Sequence, residues 1–95
     1  MINVYIAEAL GTFIFLTIIL TNDSPVMIAV GLLVGILIAT IASQGHLNPA
    51  VTTMAYMNGK VDASQFVGYV SAQLVGAVLA VQWYKYNHGV TGKLF

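Results

Sequence analysis

The chain of 95 residues contains no cysteine and very few charged side chains. The absence of cysteine excludes a disulfide framework, a thiol nucleophile and a thiolate metal site. Charged residues make up 6% of the sequence, whereas a soluble domain has about a quarter. So few charges could not keep a compact fold in solution. With 59% hydrophobic residues, the composition is typical of a membrane protein.

Patterns for catalysis, cofactors and nucleic acid are also missing from the sequence. There is no nucleophile–base pair, so we expect neither an enzyme nor a cofactor. No further ligands are spaced around His46 for a metal site, and no basic run suggests a nucleic-acid partner. The first apolar segment lacks the positive n-region and cleavage site of a signal peptide. The end of the chain, residues 87–95, is interpreted as a solvated or frayed tail.

Three apolar segments have about the 20 residues that a membrane-spanning helix needs. They are residues 2–21, 25–43 and 63–84. Asp23 or Ser24 is predicted to cap the second helix, with Pro25 at its first position. Asp62 is predicted to cap the third. The aromatic residues around Lys85 indicate a membrane–water boundary.

A polar, interrupted stretch, residues 44–57, separates the second and third segments. Asn48 followed by Pro49 predicts a helix start, and the "NGK" at residues 58–60 predicts its end. A helix over 49–57 covers about half of a ~30 Å hydrocarbon core. Non-helical backbone at that depth requires burial in protein or contact with water. We therefore predict a re-entrant loop at 44–47 and a returning half-helix.

The predicted fold class is an all-α membrane protein with three transmembrane helices plus one re-entrant half-helix. Residues 1–95 form one domain in this interpretation. Small residues at helix-packing spacing support close helix contacts in lipid. They include Gly11 in the first segment, the GxxxG pair Gly31 and Gly35 in the second, and Gly68 and Gly76 in the third.

Three motifs in the sequence resemble the first repeat of the major intrinsic protein family, the aquaporins and glycerol facilitators. They are "AEALGTF" at 7–13, "GHLNPAVT" at 45–52 and "YVSAQLVGA" at 69–77. The resemblance covers about residues 7–81 and implies a passive channel for water or small neutral solutes. Family members carry two such repeats in one chain, and their half-helices meet at the membrane midplane. This sequence holds one repeat.

A second copy in the opposite orientation could supply the missing repeat. A unit with an odd number of spans has its ends on opposite sides of the membrane, so two antiparallel copies give an inverted repeat. The orientation signal is weak. If the N-terminus is cytoplasmic, Lys60 lies inside and Lys85 and Lys93 lie outside. We therefore hypothesise an antiparallel homodimer, and four such dimers by analogy with the family's tetramers.

Two other assemblies remain open on the sequence. The chain could be half of a channel whose second half is separately encoded. It could also be a non-conducting fragment that modulates full-length channels.

The resemblance implies roles for the residues around the NPA motif, which is Asn48, Pro49 and Ala50. Asn48 would donate its amide N–H groups to a passing water or solute at the midplane. The helix dipoles of two half-helices would repel cations there. Backbone carbonyls would supply acceptors along one wall of the pore. These are the carbonyls of Gln44, Gly45 and His46.

Two polar residues lie inside apolar segments, where an ionisable group is costly. The resemblance implies that Glu8 accepts the N–H groups of the re-entrant loop and that Gln73 supports the same loop. His46 is expected to brace it, against Glu8. A proton relay or a position nearer the membrane surface stays open for Glu8. A generic interhelical hydrogen bond stays open for Gln73.

The selectivity region departs from the family pattern. The family's narrow filter uses an arginine after its second NPA motif, whereas Val51 follows the motif here and the chain has no arginine. The filter position on the second helix corresponds to Ile28 or Val30. The constriction is therefore predicted to be aliphatic and uncharged. Water, glycerol, ammonia, urea and peroxide all remain candidate solutes.

Overall fold

The computed structural model describes residues 3–88 as four helices. They are α1 (Val4–Thr21), α2 (Pro25–Ala39), α3 (Pro49–Met57) and α4 (Ala63–His88). No strand occurs within residues 3–88, which confirms the all-helical class. Two of the helices, α1 and α4, are long and apolar enough to cross a membrane. With 15 residues, α2 covers only about 22 Å of a hydrocarbon core that is ~30 Å thick.

The ends of the helices differ from the predicted ones in two places. The predicted second span runs to residue 43, but α2 ends at Ala39. The following residues form a tighter turn, in which the N–H groups of Ile41 and Ala42 donate to carbonyls three residues back. The third predicted span ends at residue 84, whereas α4 continues to His88. Ile2, the predicted start of the first span, and the tail residues 89–95 with Lys93 lie outside the described residues.

Polar side chains cap the helix starts. Ser24 is the cap of α2, since its Oγ accepts the N–H of Met27 at 3.3 Å. Asp62 and Gln65 form a reciprocal capping box at the start of α4. In this box Gln65 N donates to Asp62 Oδ1 at 2.7 Å, and Asp62 N donates to Gln65 Oε1 at 2.8 Å. The helix starts therefore follow the local sequence closely.

The helices form an open row in the order α2, α1, α4, α3. The long helix α1 packs against both α2 and α4, and α3 packs against α4. Within residues 3–88, α2 makes no close backbone approach to α3 or α4. The helices α2 and α3 therefore lie at opposite ends of the row. The loop that joins them, residues 40–48, runs along one side of the row past α1 and α4.

Glycines allow the close approach of the three long helices. A Cβ atom added at Gly35 would lie 2.7 Å from Gly11 O, and one added at Gly76 would lie 2.6 Å from Ala9 O. Gly31 is similarly close to the side chain of Ile18. The remaining predicted packing position, Gly68, lies against the ring of Tyr5. The GxxxG pair of α2 therefore faces α1 within the same chain.

The interior is small and polar, and the exterior is large and apolar. Fully or nearly fully buried positions include Ala7, Ala39 and Ala80 together with the polar side chains of Glu8 and Thr52. The exposed side chains include many large aliphatic residues. Examples are Ile6, Val26, Leu33, Leu37, Ile41, Leu74 and Val78. This distribution is the reverse of that in a water-soluble domain and suits contact with lipid tails.

Candidate functional site

The carboxylate of Glu8 is the centre of the buried polar cluster. Glu8 is 0% exposed, and it accepts hydrogen bonds from four donors that converge from α4 and from the loop between α2 and α3. The Oε1 atom accepts from Ser43 Oγ at 2.9 Å and from His46 N at 3.2 Å. The Oε2 atom accepts from Leu47 N and from Gln73 Nε2, the latter at 3.0 Å. Two donors per oxygen match the acceptor capacity of a carboxylate.

The backbone of the loop is shaped to present its N–H groups to Glu8. Gly45 and Leu47 both adopt left-handed conformations, with φ of 68° and 59°. This conformation has no steric cost for glycine but is uncommon for leucine. The side chain of Leu47 is buried and lies against Gly11 and Gly35, where a Cβ atom would leave it no room. Packing and the bond to Glu8 together hold Leu47 in this conformation.

The side chains of Thr52, His46 and Gln73 connect the loop to α3 and α4. Gln73 Nε2 donates to Thr52 Oγ1 at 2.9 Å, and Thr52 Oγ1 lies 2.9 Å from His46 Nδ1. The other ring nitrogen, His46 Nε2, lies 3.2 Å from Gln44 Oε1. In the tautomer that satisfies both contacts, Nε2–H donates to Gln44 and Thr52 O–H donates to Nδ1. The ring of His46 is therefore held by Thr52 and Gln44, while its backbone N–H binds Glu8.

Tyr69 closes the cluster on the side where α1 and α4 begin. Its hydroxyl accepts the N–H of Gln44 at 2.9 Å. Its ring packs on the ring of His46 with centroids 4.6 Å apart and meets Tyr5 edge-on at 5.9 Å. With these contacts, Ser43, Gln44, His46 and Leu47 are each bound to a side chain of α1, α3 or α4. Gly45 is held within the loop, because its N–H donates to Ser43 Oγ at 3.0 Å.

Asn48 presents its amide group outward from the tip of the loop. Its Oδ1 atom accepts the N–H of Ala50 at 2.7 Å, as expected of the cap of α3. This bond turns the amide nitrogen away from the helix, and Asn48, Pro49 and Ala50 are all exposed. The carbonyls of Gln44, Gly45 and His46 accept no hydrogen bond from residues 3–88. Of these loop residues, Gln44 and Asn48 are exposed, Gly45 is half-buried and His46 is buried.

Comparison with known proteins assigns this arrangement to a family. The sequence model of the family described as "Major intrinsic protein" matches residues 1–91. The chain belongs to the major intrinsic protein family. It is therefore an integral membrane protein of a family of channels, and the predicted resemblance is confirmed.

Curated relatives in the family are longer than this chain. A protein named glycerol uptake facilitator protein-like 6 from Lactiplantibacillus plantarum is 40% identical over 87 residues, covering 80% of this chain and 39% of its own length. Aquaporin Z from Bradyrhizobium diazoefficiens is 34% identical over 94 residues, covering 82% and 39%. Aquaporin-5 from Sus scrofa is 34% identical over 84 residues, covering 76% and 32%. The chain thus spans about two fifths or less of these relatives. No solved structure matches it.

The predicted selectivity residues of this major intrinsic protein are not in contact with one another. Val51 lies on α3, is 36% exposed and adjoins Thr52 near Glu8. Val30 is 43% exposed, and Ile28 is half-buried. Both lie in the first half of α2, beside Gly31, which packs on Ile18 in the second half of α1. Within one chain, Val51 and Val30 therefore lie at different depths.

Sequence reasoning missed three members of the cluster, Ser43, Thr52 and Tyr69. Two of them carried a signal, because Tyr69 lies four residues before Gln73 on the same helix face and Thr52 follows the NPA motif by two residues. Nothing in the sequence distinguishes Ser43 from an ordinary helix-terminal serine. Its Oγ also accepts the N–H of Gly45 at 3.0 Å, which only the folded turn reveals.

Proposed function

We propose that two antiparallel copies of this chain form one passive membrane pore for water and small neutral solutes. The observation that carries the proposal is the exposed side chain of Asn48 beside the backbone carbonyls of residues 44–46, which accept no hydrogen bond from residues 3–88. A donor and a ladder of acceptors at the tip of a half-helix can replace the hydrogen bonds that a solute loses on leaving bulk water. In this arrangement α1, α2 and α4 cross the bilayer, with local thinning around the short α2.

The open row of helices supports a two-copy pore. The exposed tip of the loop faces a space that residues 3–88 leave open on one side, because α2 and α3 make no close approach to each other. A two-fold axis in the membrane plane closes this space with a second row and brings the two Asn48 residues together. The positive ends of both α3 dipoles then face the centre and oppose the passage of cations.

The depths of the selectivity residues also favour two copies. Val51 and Val30 of one chain lie on opposite sides of the loop tip, so they cannot line the same constriction. In an antiparallel pair, Val51 of one copy reaches the depth of Val30 in the other. The constriction that results is aliphatic and has no fixed charge. Such a lining favours uncharged solutes that carry some apolar surface, such as glycerol, alongside water.

The loop-support roles of Glu8, Gln73 and His46 form part of the proposal. The four hydrogen bonds at Glu8 fix the N–H groups of His46 and Leu47 inside the protein. In the proposed pore, the carbonyls of residues 44–46 face the solute from the other side of the loop. Glu8 therefore acts as a positioning residue, and this role favours structural support over a proton relay.

The proposal is tested with liposomes that contain only this chain. Stopped-flow light scattering measures water and glycerol permeability, and accessibility tags on both termini measure orientation. We expect permeability above that of empty liposomes and both orientations in one membrane. The matched variants are Asn48→Ala, which removes the amide, and Asn22→Ala, which changes an asparagine at the C-terminal end of α1.

Each alternative predicts a different result. Permeability at the baseline of empty liposomes would exclude a homomeric pore. If co-reconstitution with a separately encoded half then restored transport, the chain would be a half-channel subunit. If the chain conducted nothing by itself but changed the transport rate of a full-length channel in the same liposomes, the chain would be a modulator. Equal permeability of the Asn48→Ala variant and the wild type would remove Asn48 from the pore.

A further inference from the structure

A groove runs between α1 and α4 on the side of the row that faces away from the polar cluster. Ile6 and Leu10 of α1 line it. They lie two residues before and after Glu8, so each points about 160° away from that side chain. Gln82, which lines the groove from α4, follows Gln73 by about two and a half turns and points away from the cluster in the same manner. The groove is therefore separate from the site at the loop.

The walls of this groove are apolar side chains of both helices. Its volume is about 560 Å³, which lies within the range of roughly 300–1,000 Å³ that is usual for small-molecule sites. Ala9, at the seam between the helices, leaves space in the groove because its side chain is small. We call this feature the back groove and define it by six residues. They are Ile6, Leu10 and Phe13 of α1 and Leu79, Trp83 and Tyr86 of α4.

The back groove has the length of one membrane leaflet. The helices α1 and α4 run in the same direction, since Tyr5 lies against Gly68 and Ala9 lies against Gly76. Tyr86 follows Gly76 by ten residues, or about 15 Å along α4. This length is about half of a ~30 Å hydrocarbon core. A second groove of about 360 Å³ adjoins the first at Ala9 and continues toward Tyr5 and Gly68. A lipid acyl chain therefore fits along the seam between the two helices.

Aromatic and basic side chains surround the outer end of the back groove. The rings of Trp83 and Tyr86 are stacked, with centroids 6.3 Å apart. Lys85 and His88 lie in the last turn of α4, and this helix contains no acidic residue. Asp23 lies at the same end of the molecule, but in the connection between α1 and α2. Aromatic side chains mark the level of the lipid headgroups, and basic side chains at that level attract anionic lipids.

We propose that the back groove binds one acyl chain of an anionic phospholipid, whose phosphate contacts Lys85 and His88. The apolar walls hold the chain, and the two basic side chains select the headgroup. The inference goes beyond the proposed function, because a second copy that covers the loop leaves the opposite side of the row in contact with lipid. The bound chain fills a gap between α1 and α4 that the protein's own side chains leave open.

The fluorescence of Trp83, the single tryptophan of the chain, tests the inference. The purified chain is reconstituted into phosphatidylcholine vesicles with increasing fractions of phosphatidylglycerol that carries brominated acyl chains. Bromine quenches tryptophan on contact, so the quenching curve gives the binding of phosphatidylglycerol relative to phosphatidylcholine. One lysine at an anionic surface contributes about a five-fold preference, and we expect at least this preference in the wild type.

Two pairs of variants separate the effect of charge from the effect of shape. Lys85→Gln should abolish the preference, whereas Lys60→Gln, which lies before the opposite end of α4, should leave it unchanged. Ala9→Phe fills the back groove and should abolish the preference with Lys85 still present. Ala29→Phe makes the same replacement at an exposed position of α2 and should have no effect. Circular dichroism in the vesicles checks that each variant keeps its helices. Leu10→Ala removes part of one wall and serves as the second groove variant, should Ala9→Phe fail to insert.

Three results would overturn the inference. Equal binding of the two lipids by the wild type would mean that only ordinary boundary lipid surrounds Trp83. A preference that survives filling of the groove would assign the selection to surface charge alone. Weak quenching by both lipids would mean that another protein chain covers this side of the row. None of these results depends on solute permeability or on orientation, so the proposed function stands or falls by its own experiment.

Discussion

Replacing Glu8 by glutamine should destabilise the fold severely, although the two side chains have nearly the same shape. The carboxylate accepts from Ser43, His46, Leu47 and Gln73. An amide retains one acceptor oxygen and turns an NH₂ group toward two of these donors. The less costly orientation directs the NH₂ group at Ser43, whose hydroxyl can donate to Ala39 O instead, at 2.9 Å.

The loss can be estimated from the bonds that change. In the less costly orientation the N–H of His46 stays buried without a partner, which costs about 1–3 kcal/mol. The remaining bonds lose a charged acceptor, and each weakens by about 1 kcal/mol. Relief of the desolvated charge offsets part of the sum. We therefore expect a loss of about 3 kcal/mol in the free energy of unfolding, or roughly a hundredfold in the folding equilibrium.

The measurement is reversible unfolding in mixed micelles of increasing denaturing-detergent fraction, followed by circular dichroism. Thr12→Val is the matched control, because Thr12 is 1% exposed and lies one turn from Glu8. Its Oγ1 donates to the carbonyl of Glu8 at 2.8 Å, so its loss should cost less than about 1 kcal/mol. A Glu8→Gln variant no less stable than Thr12→Val would refute the argument that Glu8 organises the loop.

Three further predictions concern packing, capping and selectivity. Gly76→Ala should destabilise the chain by about 2–3 kcal/mol, because the new Cβ meets Ala9 O at 2.6 Å. The control is Gly59→Ala, where the added Cβ lies in open space and the φ of 74° should lower the free energy of unfolding by only about 1 kcal/mol. Equal losses for the Gly76 and Gly59 variants in detergent unfolding would contradict the packing argument. Asn48→Ala should lower the free energy of unfolding by about 1 kcal/mol through the lost cap, and it should lower solute permeability in liposomes. An unchanged free energy of unfolding would show that the cap does not stabilise α3. Val51→Arg should reduce glycerol permeability more than water permeability by narrowing the aliphatic constriction, and an equal reduction of both would argue against Val51 as a selectivity residue.

Much of the fold could be read from local patterns in the sequence. The half-helix α3 begins at Pro49 and ends at Met57, as the asparagine–proline start and the "NGK" stop predict. Asp62 caps α4 for the same reason, since a cap depends on residues within one turn. The end of α2 could not be predicted in this way. It stops at Ala39 because the chain must turn back toward Glu8, and that requirement comes from another helix.

The candidate site was predictable in its members but not in its bonds. The motifs indicated that Glu8, Gln73 and His46 would lie near the loop. The sequence could not show that Gln73 bridges Glu8 and Thr52, or that the imidazole of His46 binds Thr52 and Gln44 while only its backbone meets Glu8. These choices depend on distances between residues that are far apart in the chain.

The sequence by itself determined that this protein lies in a membrane, that it is helical and that a short helix starts at Pro49 with Asn48 as its cap. Each of these follows from composition or from interactions within a few residues. Only the tertiary structure decided that Glu8 is fully buried and that its carboxylate holds the loop. The physical reason is that four donors from two segments, both distant from Glu8 in the chain, must meet at one pair of oxygens. Their meeting depends on glycines that let α1, α2 and α4 approach closely, and on the left-handed turn at Leu47 that directs the loop's N–H groups inward.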